Sequence, residues 1–80
     1  MLVKFIITEN SLYPKETHIG MNWTNIFLPS AGDLISLKDF ISEPLNDYLI
    51  NNIFLVNSRT FRKLGEDDLI EIKLNYVQID

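Results

Sequence analysis

Eighty residues with no cysteine, a net charge of −4 and 46% hydrophobic residues describe one small globular domain, residues 1–80, rather than a disordered chain. A chain of this size buries only about 60–68% of the surface its unfolded form exposes, so the core is thin, and neither a disulfide nor a thiolate zinc site can staple it. The acidic balance disfavours nucleic acid and anionic membranes, whose phosphates reward a basic footprint, and it suits contact with proteins or with further copies of the chain.

In chain order, the first element is "LVKFIIT", rich in β-branched and aromatic residues. Val3, Phe5 and Ile7 alternate with Leu2, Lys4 and Ile6, and both sets are largely apolar. This predicts a strand in the middle of a sheet. No apolar run reaches the roughly 18–20 residues of a membrane span, and Thr8 and Glu9 break the N-terminal patch before signal-peptide length. A cytoplasmic protein is expected. "ENSLYPKETHIG", with Asn10, Ser11, Pro14 and Gly20, reads as an irregular connection. "MNWTNIFLP" reads as a second strand, ended by Pro29, which cannot donate to a ladder.

"LPSAGDLISL", Leu28–Leu37, admits two readings. In one, Ser30 to Gly32 is a turn, "DLISL" is a short strand, and Ser36 caps one helical turn over "LKDFI", with Asp39 in a capping-box-like position and Pro44 closing it. "YLI-NN-IFLV" is then a tight hairpin, since Asn-Asn tolerates the positive φ of a type I′ turn. In the other, Ser30 or Asp33 caps a full helix with Leu34, Leu37, Phe40 and Ile41 as its apolar stripe, kinked or ended at Pro44. The C-terminal third is less ambiguous. Ile70, Ile72, Leu74 and Tyr76 alternate with Glu71, Lys73 and Asn75, so one face is buried and one is wet. "NIFLVNSRTFRKL" is also extended in character, and "GEDD", Gly65–Asp68, is the turn joining the two into a long antiparallel hairpin.

Leu28, Pro29, Gly32, Asp33, Ile35 and Leu37, then Phe54, Val56, Arg59 and Phe61, then Ile70, Ile72 and Leu74 form a turn-and-strand pattern over the last two thirds of the chain. It resembles that of short uncharacterised bacterial and phage-borne proteins associated with small SH3-like β-barrels. The resemblance implies a mainly β fold, a five-stranded SH3-like barrel with one short helical turn. "FLVNSRTFRKLGEDDLIEI" is also similar to the ending of β-grasp proteins, ubiquitin-like and sulfur-carrier-like, which implies an α+β alternative. Here Glu66 and Asp67 stand where that pattern has Gly-Asp, and "YVQID" replaces the Gly-Gly tail whose carboxylate such carriers activate. Sulfur carriage or protein tagging is therefore not expected even in that fold.

His18, in "KETHIG" beside Glu16, is the one residue whose ordinary pKa suits acid–base work near neutrality. No Ser-His-Asp or Cys-His spacing accompanies it, so it reads as a surface loop histidine rather than a catalytic group. "EDD", 66–68, lacks the alternating acidic ligands of a calcium loop and reads as a solvated hairpin tip. The widely separated glycines form no phosphate-cradling loop, and "NWT" at 22–24 has no secretory context. In "SRTFRK", alternation puts Arg59, Phe61 and Lys63 on one side and Thr60 and Arg62 on the other. Such a strand could hold a phosphate or stack a base, which makes nucleic-acid or nucleotide binding the alternative function. Cross-hairpin ion pairing is the plainer role for its cations. Trp23 is either a core residue or, if exposed, a binding hot spot.

Together these features predict a non-enzymatic interaction module without cofactor or metal. It would act through a protein partner or self-association, with an uncovered strand edge or an aromatic patch as the contact. Trp23, Arg59 and Phe61 are the expected contact residues.

Overall fold

The computed structural model describes residues 1–10, 13–41, 49 and 53–77. The fold is mainly β. A five-stranded mixed sheet curls into a half-barrel, and one 3-10 turn is the helical element among the described residues. The strands are β1 (Leu2–Ile7), β2 (Thr17–Asn22), β3 (Leu34–Ser36), β4 (Ile53–Leu64) and β5 (Asp67–Tyr76), with spatial order β2-β1-β5-β4-β3.

The two-sided apolar character of β1 has the structural meaning expected of it. The strand lies between β2, to which it is antiparallel, and β5, to which it is parallel. Val3, Phe5 and Ile7 stand opposite Ile70, Ile72 and Leu74. All six are buried on the concave face, and Phe5, Ile7, Ile72 and Leu74 have no exposed surface at all. Ile6 is buried on the other face. The alternation from Ile70 to Leu74 therefore marks the floor of the core. Each such fully buried aliphatic side chain contributes about 1.5–3 kcal/mol relative to leaving it in water.

The core is closed by chain that crosses the concave face. Tyr13, Trp23, Leu37, Ile41 and Leu49 join the sheet residues, Ile35 of β3 among them, in one buried cluster, with Met21, Leu28 and Phe40 packed at its rim. Trp23 is central to this closure. Its ring meets Phe5 at 5.7 Å, Phe27 at 5.8 Å and Phe40 at 5.3 Å between centroids.

The second strand lies earlier than the sequence predicts. It runs from Thr17 to Asn22, so part of the expected loop is strand and Trp23–Pro29 is not. The ladder's last bond is Trp23 N–H to the Met1 carbonyl. The cause of the departure is the indole. Trp23 is buried, and its Nε1–H donates to the Phe27 carbonyl at 2.7 Å. In an extended strand that carbonyl would lie on the order of 13 Å along the chain. Satisfying the buried N–H folds the chain back over the core instead.

Of the two readings of residues 30–50, the described residues follow the first, with a turn, a short strand and one helical turn in place of a full helix. Asp33 N–H bonds to the Ser30 carbonyl, and Gly32 has φ +95°. A positive φ at the third position of the turn is the type II arrangement, which favours glycine. Asp33 Oδ2 accepts from Ser30 N–H and Ser30 Oγ–H, fixing the turn from the side. Leu34–Ser36 then pairs with Ile53–Leu55, and Leu37–Asp39 forms the 3-10 turn. The expected Ser36 side-chain cap is not made; Phe40 N–H bonds to the Leu37 carbonyl instead. The expected Asn-Asn hairpin and Pro44 lie outside the described residues.

If the β1–β5 contact carries the core, Ile72→Ala lowers the unfolding free energy by about 2–5 kcal/mol, whereas exposed Lys73→Ala changes it by about 0.5 kcal/mol or less. Urea unfolding of both variants checks this; equal costs would contradict it.

Candidate functional site

β4 is twelve residues long and β3 covers three of them. Pairing with β3 ends at Leu55, extended by the Val56 N–H and carbonyl bonds to Asp33 and Gly32. From Ser58 to Leu64 no strand among the described residues lies on the outer side of β4; its one neighbour there is β5. The β4–β5 hairpin also overhangs the rest of the sheet. Leu69 stands opposite Leu2, so Lys63 to Asp68 project past the end of β1. Burial follows suit: Phe54 and Val56 are buried, whereas Arg59 through Asp68 are exposed.

The hairpin turn fixes which backbone groups face outward. Gly65 (φ +66°) and Glu66 form a two-residue loop between paired Leu64 and Asp67. Glycine with positive φ at the first loop position, followed by a residue of negative φ, is a type II′ turn. Such a turn is closed by a hydrogen-bonded pair, so Leu64 faces β5. By alternation Arg62, Thr60 and Ser58 also face β5, while the N–H and C=O groups of Lys63, Phe61 and Arg59 point away from it. The bulge between Val56 and Ser58 reconciles this parity with Val56, whose groups face β3.

The side chains on this edge sort by face as the sequence predicts. Arg59, Phe61 and Lys63 share the concave face, opposite Ile72, Ile70 and Asp68. The Arg59 guanidinium lies 5.3 Å from the centre of the Phe61 ring, and Phe61 is 67% exposed. Lys63 Nζ is 2.6 Å from Asp68 Oδ1. On the convex face Arg62 Nη1 meets Glu71 Oε1 at 3.0 Å, and Lys4 approaches Glu71 Oε2 at 3.8 Å, linking β1, β5 and β4. Two of β4's three cations are therefore held by carboxylates, as expected of cross-hairpin pairing. Arg59 is the cation left in no ion pair among the described residues, where phosphate binding draws on several.

Trp23 does not present its ring to solvent. It is 5% exposed, which corrects its assignment to a contact surface; the exposed apolar residues near it are Ile26 and Phe27. The sequence does not single out those two, because both fall within "MNWTNIFLP", which reads as a strand. Sequence reasoning also passed over the length of the open edge. The signal was available in the brevity of "DLISL" beside the long extended run "NIFLVNSRTFRKL".

His18 is exposed, and its Nε2 lies 2.6 Å from Glu16 Oε1. That contact lowers the Glu16 pKa. Among the described residues there is no cluster of metal-ligating side chains and no helix long and apolar enough to cross a membrane. A shallow depression of about 410 Å³ lies on the convex face over Gly20, with Leu2, Leu64 and Leu69 among its walls. Comparison with family models, curated proteins and solved structures finds no match.

The hydrogen bond from the Lys63 ammonium, reinforced by its charge, holds the Asp68 carboxyl below its ordinary range. A depressed carboxylate pKa adds stability above the unfolded value, and that contribution is lost as pH falls through the folded one. Lys63→Met therefore raises the Asp68 pKa toward the usual carboxylate value, followed through the side-chain carboxyl resonance in an acid titration. An unchanged pKa would show that the pair does not persist in solution.

Proposed function

We propose that the protein is a non-enzymatic interaction module that engages a partner protein through the open edge of β4, with Arg59 and Phe61 at its centre. The observation that carries this reading is the conjunction of a bare strand edge with a large exposed ring. An uncovered edge offers unpaired N–H and C=O groups to another extended chain. Phe61 sits on that edge with most of its surface in water while contributing little to the core. Aromatic residues beside an arginine are frequent anchors of protein interfaces.

The remaining groups with chemical potential are occupied in ways that fit this reading. The histidine is paired with a surface carboxylate, and the acidic hairpin tip shares Asp68 with Lys63. Neither gathers a nucleophile and a base around a cavity, as catalysis requires. The same ion pairs weaken the nucleic-acid alternative, since they commit Arg62 and Lys63 to this chain's own carboxylates.

Phe61→Ser separates function from folding. The exposed ring's loss shifts stability by about 0.5 kcal/mol or less. Capture of the partner from a nuclease-treated lysate of the native host is expected to be lost in the variant and kept in the wild type. Equal capture by both, or capture abolished by nuclease alone, would overturn the proposal.

A further inference from the structure

The open edge has a chemical grammar, because its outward backbone groups and its concave-face side chains belong to the same residues. Arg59, Phe61 and Lys63 each aim an N–H and a C=O outward. An incoming strand bonded to these groups places a side chain directly opposite each of them on the same face. Those three side chains differ in what they leave open. Lys63 is already held by Asp68. Phe61 offers an exposed apolar ring, and Arg59 offers a guanidinium that stacks on that ring and meets no carboxylate among the described residues.

A second copy of the same edge does not answer this pattern. With Phe61 against Phe61, the symmetric register that uses all three outward residues, Arg59 faces Lys63 twice. Like charges directly opposite one another destabilise a strand pair. β4 holds three cations and no carboxylate in a chain of net charge −4. Edge cations of this kind discourage self-pairing while leaving the edge open to a complementary strand.

Resting on the open-edge reading above, we propose that the occupant is an extended segment of a partner protein paired antiparallel to β4. It carries an aliphatic residue opposite Phe61 and, two residues further toward its C-terminus, an Asp or Glu opposite Arg59. The aliphatic side chain covers the Phe61 ring. The carboxylate completes the guanidinium, whose stem and plane are already positioned by the aromatic beneath it. Antiparallel pairing is chosen because it is the more stable ladder per residue.

The test uses the full chain and a capped peptide, Thr-Val-Thr-Ile-Thr-Glu-Thr, with a second peptide in which Glu is replaced by Lys. Amide resonances of the protein are followed during titration. The Glu peptide is expected to perturb Arg59, Phe61 and Lys63 first and to bind about tenfold tighter than the Lys peptide, the effect of about 1.4 kcal/mol. In Arg59→Glu that preference is expected to reverse, which a merely structural role for Arg59 would not produce. Equal binding of the two peptides at these amides overturns the acidic specificity but leaves the open-edge reading standing. Perturbation confined to the convex-face depression around Leu2, Gly20 and Leu64, dimerisation through β4, or no perturbation by either peptide overturns this proposal. Phe61→Ser then decides the broader reading independently.

Discussion

The parallel pairing of β1 with β5 is the contact on which the rest of the molecule depends. It joins the two most apolar strands side by side and aligns Val3, Phe5 and Ile7 with Ile70, Ile72 and Leu74. In so small a chain, without a disulfide, these residues form most of a continuous floor. The segments that close the core rest on it: Trp23 packs on Phe5, and Tyr13 approaches Phe54 at 6.1 Å between ring centroids. Thr8 reinforces the same seam. Its N–H reaches the Leu74 carbonyl, and its hydroxyl meets that carbonyl and the Asn75 side chain.

The register of that pairing also sets how far the hairpin overhangs, while the brevity of β3 leaves the edge of β4 open among the described residues. Because Leu2 lies opposite Leu69, the strand that supports β5 stops before the hairpin does. Lys63 to Asp68 have no third strand beside them among the described residues. An overhanging hairpin needs local reasons to stay paired. The type II′ turn at Gly65–Glu66 supplies one, and the Lys63–Asp68 and Arg62–Glu71 pairs supply others. Exposed pairs of this sort are screened by water, so they set register more than they add stability. The interaction surface we propose is thus a by-product of where β3 ends, since Arg59 and Phe61 still stand opposite the core residues Ile72 and Ile70.

Much of this was legible in the residues. Period-two alternation located β5, the length of the extended run located β4, and Gly65 located the turn between them. The face assignment of Arg59, Phe61 and Lys63 held because alternation survives outside the core. The early boundary of β2 was not legible. It depends on a buried indole finding a carbonyl four residues on, a tertiary condition invisible to local pattern. Burial of Trp23 follows from the same condition, and it moves the exposed apolar surface to Ile26 and Phe27. The parallel neighbour of β1 was equally hidden, since a strand apolar on both faces says that it is central but not what flanks it.

Amide hydrogen exchange on the isolated protein tests the central claim most directly. Slowest exchange is expected at Phe5 and Ile72, with an alternating pattern along β4 in which Thr60 and Arg62 are protected while Arg59, Phe61 and Lys63 exchange orders of magnitude faster. Uniform protection from Arg59 to Lys63 would contradict it, because another strand would then already occupy the edge.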